Sequence, residues 1–397
     1  MIPSVRRWFN ENFSEEKYQS YLQYLDNLYP GAIEFRIAET PVFVDKAFTQ
    51  KMLDACESII DVIRQKDFQE KTNAAIPKEY YVPNQNSHPH FMVFDFGICE
   101  NKQGELEPQL VEMQGFPSLF AYQIFQDEAA RFAYSIDEQY TTYLNGFNKE
   151  KIIGLLKEVI IADEDPENVV LLELYPDKQK TRVDFYATKK ILGLSIVCVT
   201  EVLKEGDKLY YLNKGVKTQI KRIYNRLIFD ELARQPIEVQ EKAKFLFEDI
   251  DVAWVTHPNW FYRISKYTLP FLNHPNIPQT WFLNEVKHLP EDLENYVVKP
   301  LFSFAGRGVI IDTTREQIEE IKDKKNYILQ RKVKYAEAIK TLDEPAKAEI
   351  RMFYFWKDGA AKPIATHNLA RLTKGKMIGV GFNKDKTWVG GSLAYFE

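Results

Sequence analysis

Tyr296-Val297-Val298-Lys299-Pro300, then Ser303-Phe304-Ala305-Gly306-Arg307-Gly308, then Val309-Ile310-Ile311 is the stretch from which the rest of the chain is read. Its flanking pieces are short, apolar and β-branched, the pattern of two buried strands. The loop between them carries two glycines and a basic residue. A lysine at the end of the first strand is costly to bury unless an anion meets it. Glycines let backbone N–H groups approach a phosphate closely, and Arg307 adds positive charge. Two readings stand side by side: a hairpin lid over a polyphosphate, and an ordinary hairpin whose lysine reaches out to water. A Walker A loop is excluded, because no G-x-x-x-x-G-K-[ST] occurs and a strand follows the loop.

The composition bounds these readings. A chain of 397 residues is long enough for two or three domains. Its 27% charged and 45% apolar residues are ordinary for a globular protein. A net charge of −5 argues against general nucleic-acid binding. The three cysteines, Cys56, Cys99 and Cys198, are scattered without C-x-x-C spacing, which favours reduced core thiols and a cytoplasmic setting. Met1 to Asn12 lacks the apolar core of a signal peptide, and no apolar run approaches the ~20 residues that cross a bilayer. The expectation is a soluble cytoplasmic protein with neither membrane nor nucleic-acid partners.

Along the chain, Glu15 to Leu28 and Ala47 to Ile63 show helical spacing of apolar residues, and the first 75 residues carry no evident chemistry. Phe91 to Ile98 and Leu110 to Gln114 read as a hairpin. Glu112 and Gln114 share one face, and Asp95 is costly to bury unpaired. If Asp95 faces them, the trio offers hard oxygen donors of the kind Mg²⁺ takes; the alternative is a solvent-facing amphipathic hairpin. Asn168 to Leu174, a helix from Thr181 to Leu192 closed by Gly193, and Ser195 to Val202 form a βαβ unit. Lys208 to Leu212 reads as the next strand, and Gln219 to Tyr224 as another, with Arg226 just beyond its end, either a surface arginine or one placed where ligands of open α/β sheets bind. Phe261 to Leu272 is expected to be a helix carrying Arg263 and Lys266. Prolines 270, 275 and 278 suggest a boundary near 275. Thr314 to Lys322 reads as a helix, Tyr327 to Gln330 as a strand before Lys332, and Glu349 to Trp356 as a long alternating strand. Ala365 to Leu372 brings up Arg371, and Lys374 follows.

In their order, these stretches resemble the ATP-grasp ligases of the circularly permuted kind, similar to glutathionylspermidine synthases and eukaryotic glutathione synthetases. The stretches are Asp95 with Glu112-Met113-Gln114, Ile223 to Arg226, Arg263 with Lys266, Val297 to Pro300 with Gly306-Arg307-Gly308, Tyr327 to Gln330, and Leu369 to Arg371 with Gly379 to Asn383. The resemblance covers residues 90–390. It implies an α/β (α+β) ATP-grasp fold in permuted order, with a helical N-terminal segment and a small parallel-sheet substrate domain. The expected divisions are 1–85, 86–150, 151–275 and 276–397. It implies that Lys266 and Lys299 meet ATP phosphates, that Ser303, Gly306, Arg307 and Gly308 close over them, and that the strand ending at Gln330 flanks adenine. Lys332 and Lys374 join these nucleotide contacts. Asp95, Glu112 and Gln114 would hold Mg²⁺, while Arg226, Arg351 and Arg371 would meet a substrate carboxylate or the transferring phosphate. Gln114 stands where these families usually have asparagine, and the lid is less glycine-rich than in many relatives.

The resemblance implies an ATP-dependent carboxylate–amine ligase that works through an acylphosphate on small-molecule or peptide substrates. A phosphotransferase on a small acceptor and a nucleotide-binding module without turnover remain as alternatives. A homodimer is compatible with the sequence. His88-Pro89-His90 precedes the Asp95 strand and reads either as a loop or as a substrate contact.

Overall fold

A computed structural model describes residues 1–302, 308–375 and 383–397. Ser303, Gly306, Arg307 and residues 379–382, all named above, lie outside them.

The chain is a mixed α/β protein around a five-stranded antiparallel sheet. In spatial order its strands are Gly390–Ser392, Ile364–Thr373, Lys347–Phe355, Phe91–Glu100 and Leu106–Gln114. Alternation along Phe91–Glu100 explains how it is covered on both sides. Met92, Phe94, Phe96 and Ile98 pack with Met52, Cys56 and Ile59 of the helix Lys46–Ile63, whose first turn is capped by Asp45 accepting from Phe48 N. On the opposite face Phe91 and Val93 join Phe353, Phe355, Leu369 and Phe120. Asp95, Arg351, Glu349 and Arg371 follow at one end of that face, where the apolar core gives way to charge.

A second sheet is wholly parallel, in the order Ala253–Val255, Arg222–Asn225, Val169–Glu173 and Ser195–Cys198. The helix Arg182–Leu192 makes its βαβ crossover and ends at Gly193 with φ of 75°, as its C′ glycine implied. The strand at Lys208–Asn213 does not continue this sheet. With Leu203–Glu205 and Val216–Ile220 it forms an antiparallel meander, since the connections at Gly206 and Lys214-Gly215 are tight turns and a parallel crossover needs a dozen residues or more. Likewise Gln219 to Tyr224 is not one strand: Lys221 separates Val216–Ile220 from Arg222–Asn225. Phe261 to Leu272 is not one helix either. It comprises the short helix Asn259–Arg263 and a 3-10 turn Lys266–Phe271, broken where Ser265 caps the new turn and Pro270 withholds an N–H.

The lid region is a three-stranded antiparallel sheet, Thr280–Phe282, Tyr327–Arg331 and Tyr296–Pro300, backed by the helix Arg315–Glu320 with its Thr314–Gln317 capping box. The expected second strand at 309–311 is a single bridge, Ile310 to Val298. The helix Phe120–Tyr134, unread in the sequence, buries 12 of its 15 residues and packs against Pro3–Asn12 and Glu15–Leu28. Val42–Val44 pairs in parallel with Ala394–Phe396, tying the first segment to the last. Among the described residues no helix is long and apolar enough to cross a membrane.

Candidate functional site

Strand register assembles the charged end of the main sheet. Asp95 lies opposite Glu112 on one neighbour and opposite Arg351 on the other, and Glu349 lies opposite Arg371. Cross-strand neighbours sit ~4.5–5.5 Å apart at Cβ, close enough for direct ion pairing. Arg351 grips Asp95 with both prongs of its guanidinium, Nε to Oδ1 and Nη2 to Oδ2, each at 2.6 Å. Arg371 Nη2 adds a third bond to Asp95 Oδ2 at 2.6 Å and reaches Glu349 Oε2 at 2.8 Å. Tyr335 donates to Glu349. Its ring crosses the sheet over Gly97, where a Cβ would stand 2.8 Å from the ring carbon, so that strand position admits no side chain without displacing the tyrosine.

Burial would raise the Asp95 carboxyl, yet Arg351 and Arg371 together hold it below its ordinary value. For Glu349 burial prevails over Arg371, and its carboxyl is raised. Both oxygens of Asp95 are thus committed to guanidinium groups. Gln114 lies two residues beyond Glu112, opposite Val93. Among the described residues no group of three His, Cys, Asp or Glu side chains is arranged to hold a metal ion.

Beside this hub, two lysines converge on Glu112 from separate segments. Lys266 Nζ lies 3.7 Å from Glu112 Oε1. Lys299 Nζ lies 3.4 Å from the carbonyl of Val111, the residue at the bulge between the Asp95 and Glu112 strands. Burial lowers the Lys266 amine against the pull of Glu112. The Lys299 amine is pulled down to about 8 by burial, with Glu112 opposing and Lys266 adding repulsion. Lys266 reaches this place because Gly115 lets the strand end touch the next segment. Gly115 N donates to Ile264 O at 2.9 Å, and a Cβ on Gly115 would stand 2.6 Å from the Trp260 carbonyl. Glu112, Gln114, Lys266 and Phe302 line a narrow cleft there.

Four cations, Lys266, Lys299, Arg351 and Arg371, therefore meet three carboxylates, Asp95, Glu112 and Glu349. The Nε of Arg371 is buried with no acceptor among the described residues. A positive excess with an orphaned buried donor is chemistry suited to a further anion.

The other expected residues have partners of their own. Arg226 is 5% exposed and forms a buried ion pair with Asp184 at 2.7 Å, which itself accepts from Ala121 N and Tyr122 N. Arg226 also donates to Ser118 O, and Arg351 Nη1 reaches Ser118 Oγ at 3.3 Å, so Ser118 joins this pair to the hub. Gln330 is buried in the lid sheet and donates to Thr280 Oγ1. Lys332 bonds Glu294 O at 2.8 Å and Asp312 at 3.5 Å. Lys374 pairs with Asp343 at 2.5 Å. Gly308 has φ of 75° beside Pro300. His90 pairs with Asp358 at 3.1 Å, and His88 stacks on Trp356, so both hold the loop before the Asp95 strand. Glu349, Tyr335 and Ser118 carried no role in the sequence reading. Glu349 shares the alternating face of Arg351 and was open to inference; Tyr335 arrives by a non-local crossing that leaves no local pattern.

No protein-family model matches the sequence. In three dimensions the chain is similar to a glutathione synthetase-like effector from Globodera pallida in its apo form. The TM-score is 0.61 at 9% identity, over 97% of this chain and 98% of that one. At that identity the likeness establishes a distant glutathione-synthetase-like fold alone.

Proposed function

We propose that the chain is an ATP-dependent carboxylate–amine ligase with an ATP-grasp fold in permuted order, divided near residues 85, 150 and 275. The observation that carries this reading is the convergence of Lys266 and Lys299, both depressed by burial, beside a cation-rich sheet end. ATP, when bound, supplies the phosphoryl group that turns a substrate carboxylate into an acylphosphate open to attack by an amine. The chain's part is binding and charge stabilisation. Lys266 and Lys299 would neutralise phosphate oxygens, and Arg371, whose Nε has no acceptor among the described residues, would orient the acceptor carboxylate or the transferring group. No side-chain nucleophile is needed.

The residues fit a polyphosphate better than they fit the implied Mg²⁺. Asp95 accepts from two arginines through both oxygens, and glutamine replaces the third donor, so charge stabilisation falls to the lysines and arginines. That same engagement favours a second reading, a nucleotide-binding module without turnover. Thermal melting with and without MgATP, wild type beside Lys299→Ala, tests the binding both readings share. Ligand at a hundredfold excess over its dissociation constant stabilises by ~2.7 kcal/mol, a shift of several degrees. No shift in the wild type at millimolar MgATP would end both readings. ADP release on adding acids and amines then separates ligase from module.

A further inference from the structure

An apolar-walled cavity lies between the helix Pro3–Asn12 and the segment 338–342, away from Lys266 and Lys299, with about 510 Å³ of space. This falls inside the roughly 300–1,000 Å³ typical of small-ligand sites. Ile2, Phe43, Leu106 and Ile339 form apolar walls, and Asn10 Nδ2 bonds Lys340 O at 3.0 Å across the two segments. Leu106 sits six residues before Glu112 on their strand, roughly 20 Å away at 3.3 Å per residue. The cavity is therefore separate from the site described above.

Its distinctive wall residue is Arg6, only 8% exposed. The guanidinium lies 5.0 Å from the Phe9 ring and 5.2 Å from the Phe43 ring. It donates to Thr40 Oγ1 at 2.6 Å, Pro41 O at 2.9 Å and Asn10 Oδ1 at 3.4 Å, all uncharged acceptors. No carboxylate among the described residues comes within 4.0 Å of it. Burial lowers its affinity for the proton with no acid to offset the effect. A buried cation is expensive without a counter-charge. Arg226, Arg351 and Arg371 each have one in Asp184 or Asp95; Arg6 faces a cavity instead. Arg7 and Lys340 add two further cations to the lining against the single carboxylate of Glu11.

We propose that this cavity binds an amphipathic monoanion, a medium-chain carboxylate whose tail fills the apolar walls and whose carboxylate pairs with Arg6. The guanidinium supplies the directional anchor, and the tail supplies burial at ~25 cal/mol per Å² of apolar area. The inference does not depend on nucleotide binding elsewhere.

The test is calorimetric titration of the full chain with decanoate and with decanol, which shares the tail without the charge. Wild type is compared with Arg6→Gln and Ala338→Trp, the latter placing an indole in the cavity. Decanoate should bind at least about tenfold more tightly than decanol. Arg6→Gln should erase that preference, and Ala338→Trp should abolish binding of both. Equal affinities in the wild type, no decanoate binding at millimolar concentration, or undiminished binding by Ala338→Trp would each overturn the proposal. Should Arg6→Gln fail to fold, the wild-type ratio and Ala338→Trp still decide it.

Discussion

Asp95 is the residue on which the charged end of the sheet turns, because three guanidinium bonds converge on a side chain that is 1% exposed. Removing one partner of a buried ion network leaves the others uncompensated, typically a loss of 3–5 kcal/mol, or about that. Glu112 is different: its pair with Lys266 is 3.7 Å long and its side chain 31% exposed, so the pair contributes about 0–1 kcal/mol. Asp95→Asn should therefore lower the urea midpoint strongly and Glu112→Gln barely. Equal losses would refute the hub. Lys299 offers a titration with a definite sign. Its amine is lowered to about 8 in the fold against about 10.4 in an unfolded chain. Between those values the unfolded chain binds the proton and the folded chain does not, so stability from this group rises with pH across that window. A polyphosphate favours the charged amine, so nucleotide binding near pH 8.5 should take up protons. Calorimetry in buffers of different ionisation heats reads that uptake, and Lys299→Met should abolish it.

Elements were legible in the sequence where one periodicity ruled them. Phe91 to Ile98 and Glu349 to Trp356 alternate, and their strands appear as Phe91–Glu100 and Lys347–Phe355. The helix at Lys46–Ile63 is amphipathic and was equally plain. Phe120–Tyr134 went unread because it is buried nearly all round and presents no polar stripe. The meander at 203–220 went unread, Lys208 to Leu212 reading simply as the next strand, because the choice of sheet depends on turn length. Lys266 was found on a helix that does not form, since the segment is shaped by its contact with Gly115 rather than by its own propensity. That contact is testable. Gly115→Ala drives a Cβ toward the Trp260 carbonyl and should destabilise by about 1–3 kcal/mol while reducing the nucleotide-induced melting shift. Gly154→Ala, on an exposed helix position with nothing within 4 Å, is the control and should stabilise by about 0.5–1 kcal/mol. If Gly115→Ala keeps the full nucleotide shift, the approach of strand and Lys266 segment is not what sets the site.

At the scale of the whole molecule, stability is unevenly distributed. The main sheet is packed on both faces, by the helix Lys46–Ile63 on one and by Phe120 and its neighbours on the other. One face of the lid sheet rests on a satellite cluster of Leu283, Leu293, Tyr296, Val298, Ile318 and Leu329. The sheet meets the rest through Phe282 and Ile328, which join the main core cluster, through the Lys266–Phe271 turn, and through the Lys299 contact to Val111. The order of segments along the chain suggested a lid joined to a distant pair of acidic strands, but the number of apolar contacts between them is a tertiary quantity that no local pattern encodes. Regions with few buried apolar contacts open at lower free energy than the global transition. Amide exchange of Val298 and Leu329 in the lid should accordingly report a smaller opening free energy than that of Phe94 and Ile350 in the main sheet. Nucleotide held by Lys299 would bind the closed arrangement alone and so slow exchange in the lid, while the main sheet, already limited by global unfolding, would change only as much as the whole protein is stabilised. Uniform exchange across both sheets would mean that lid and core form one cooperative unit, and a lid unaffected by nucleotide would remove Lys299 from the binding surface.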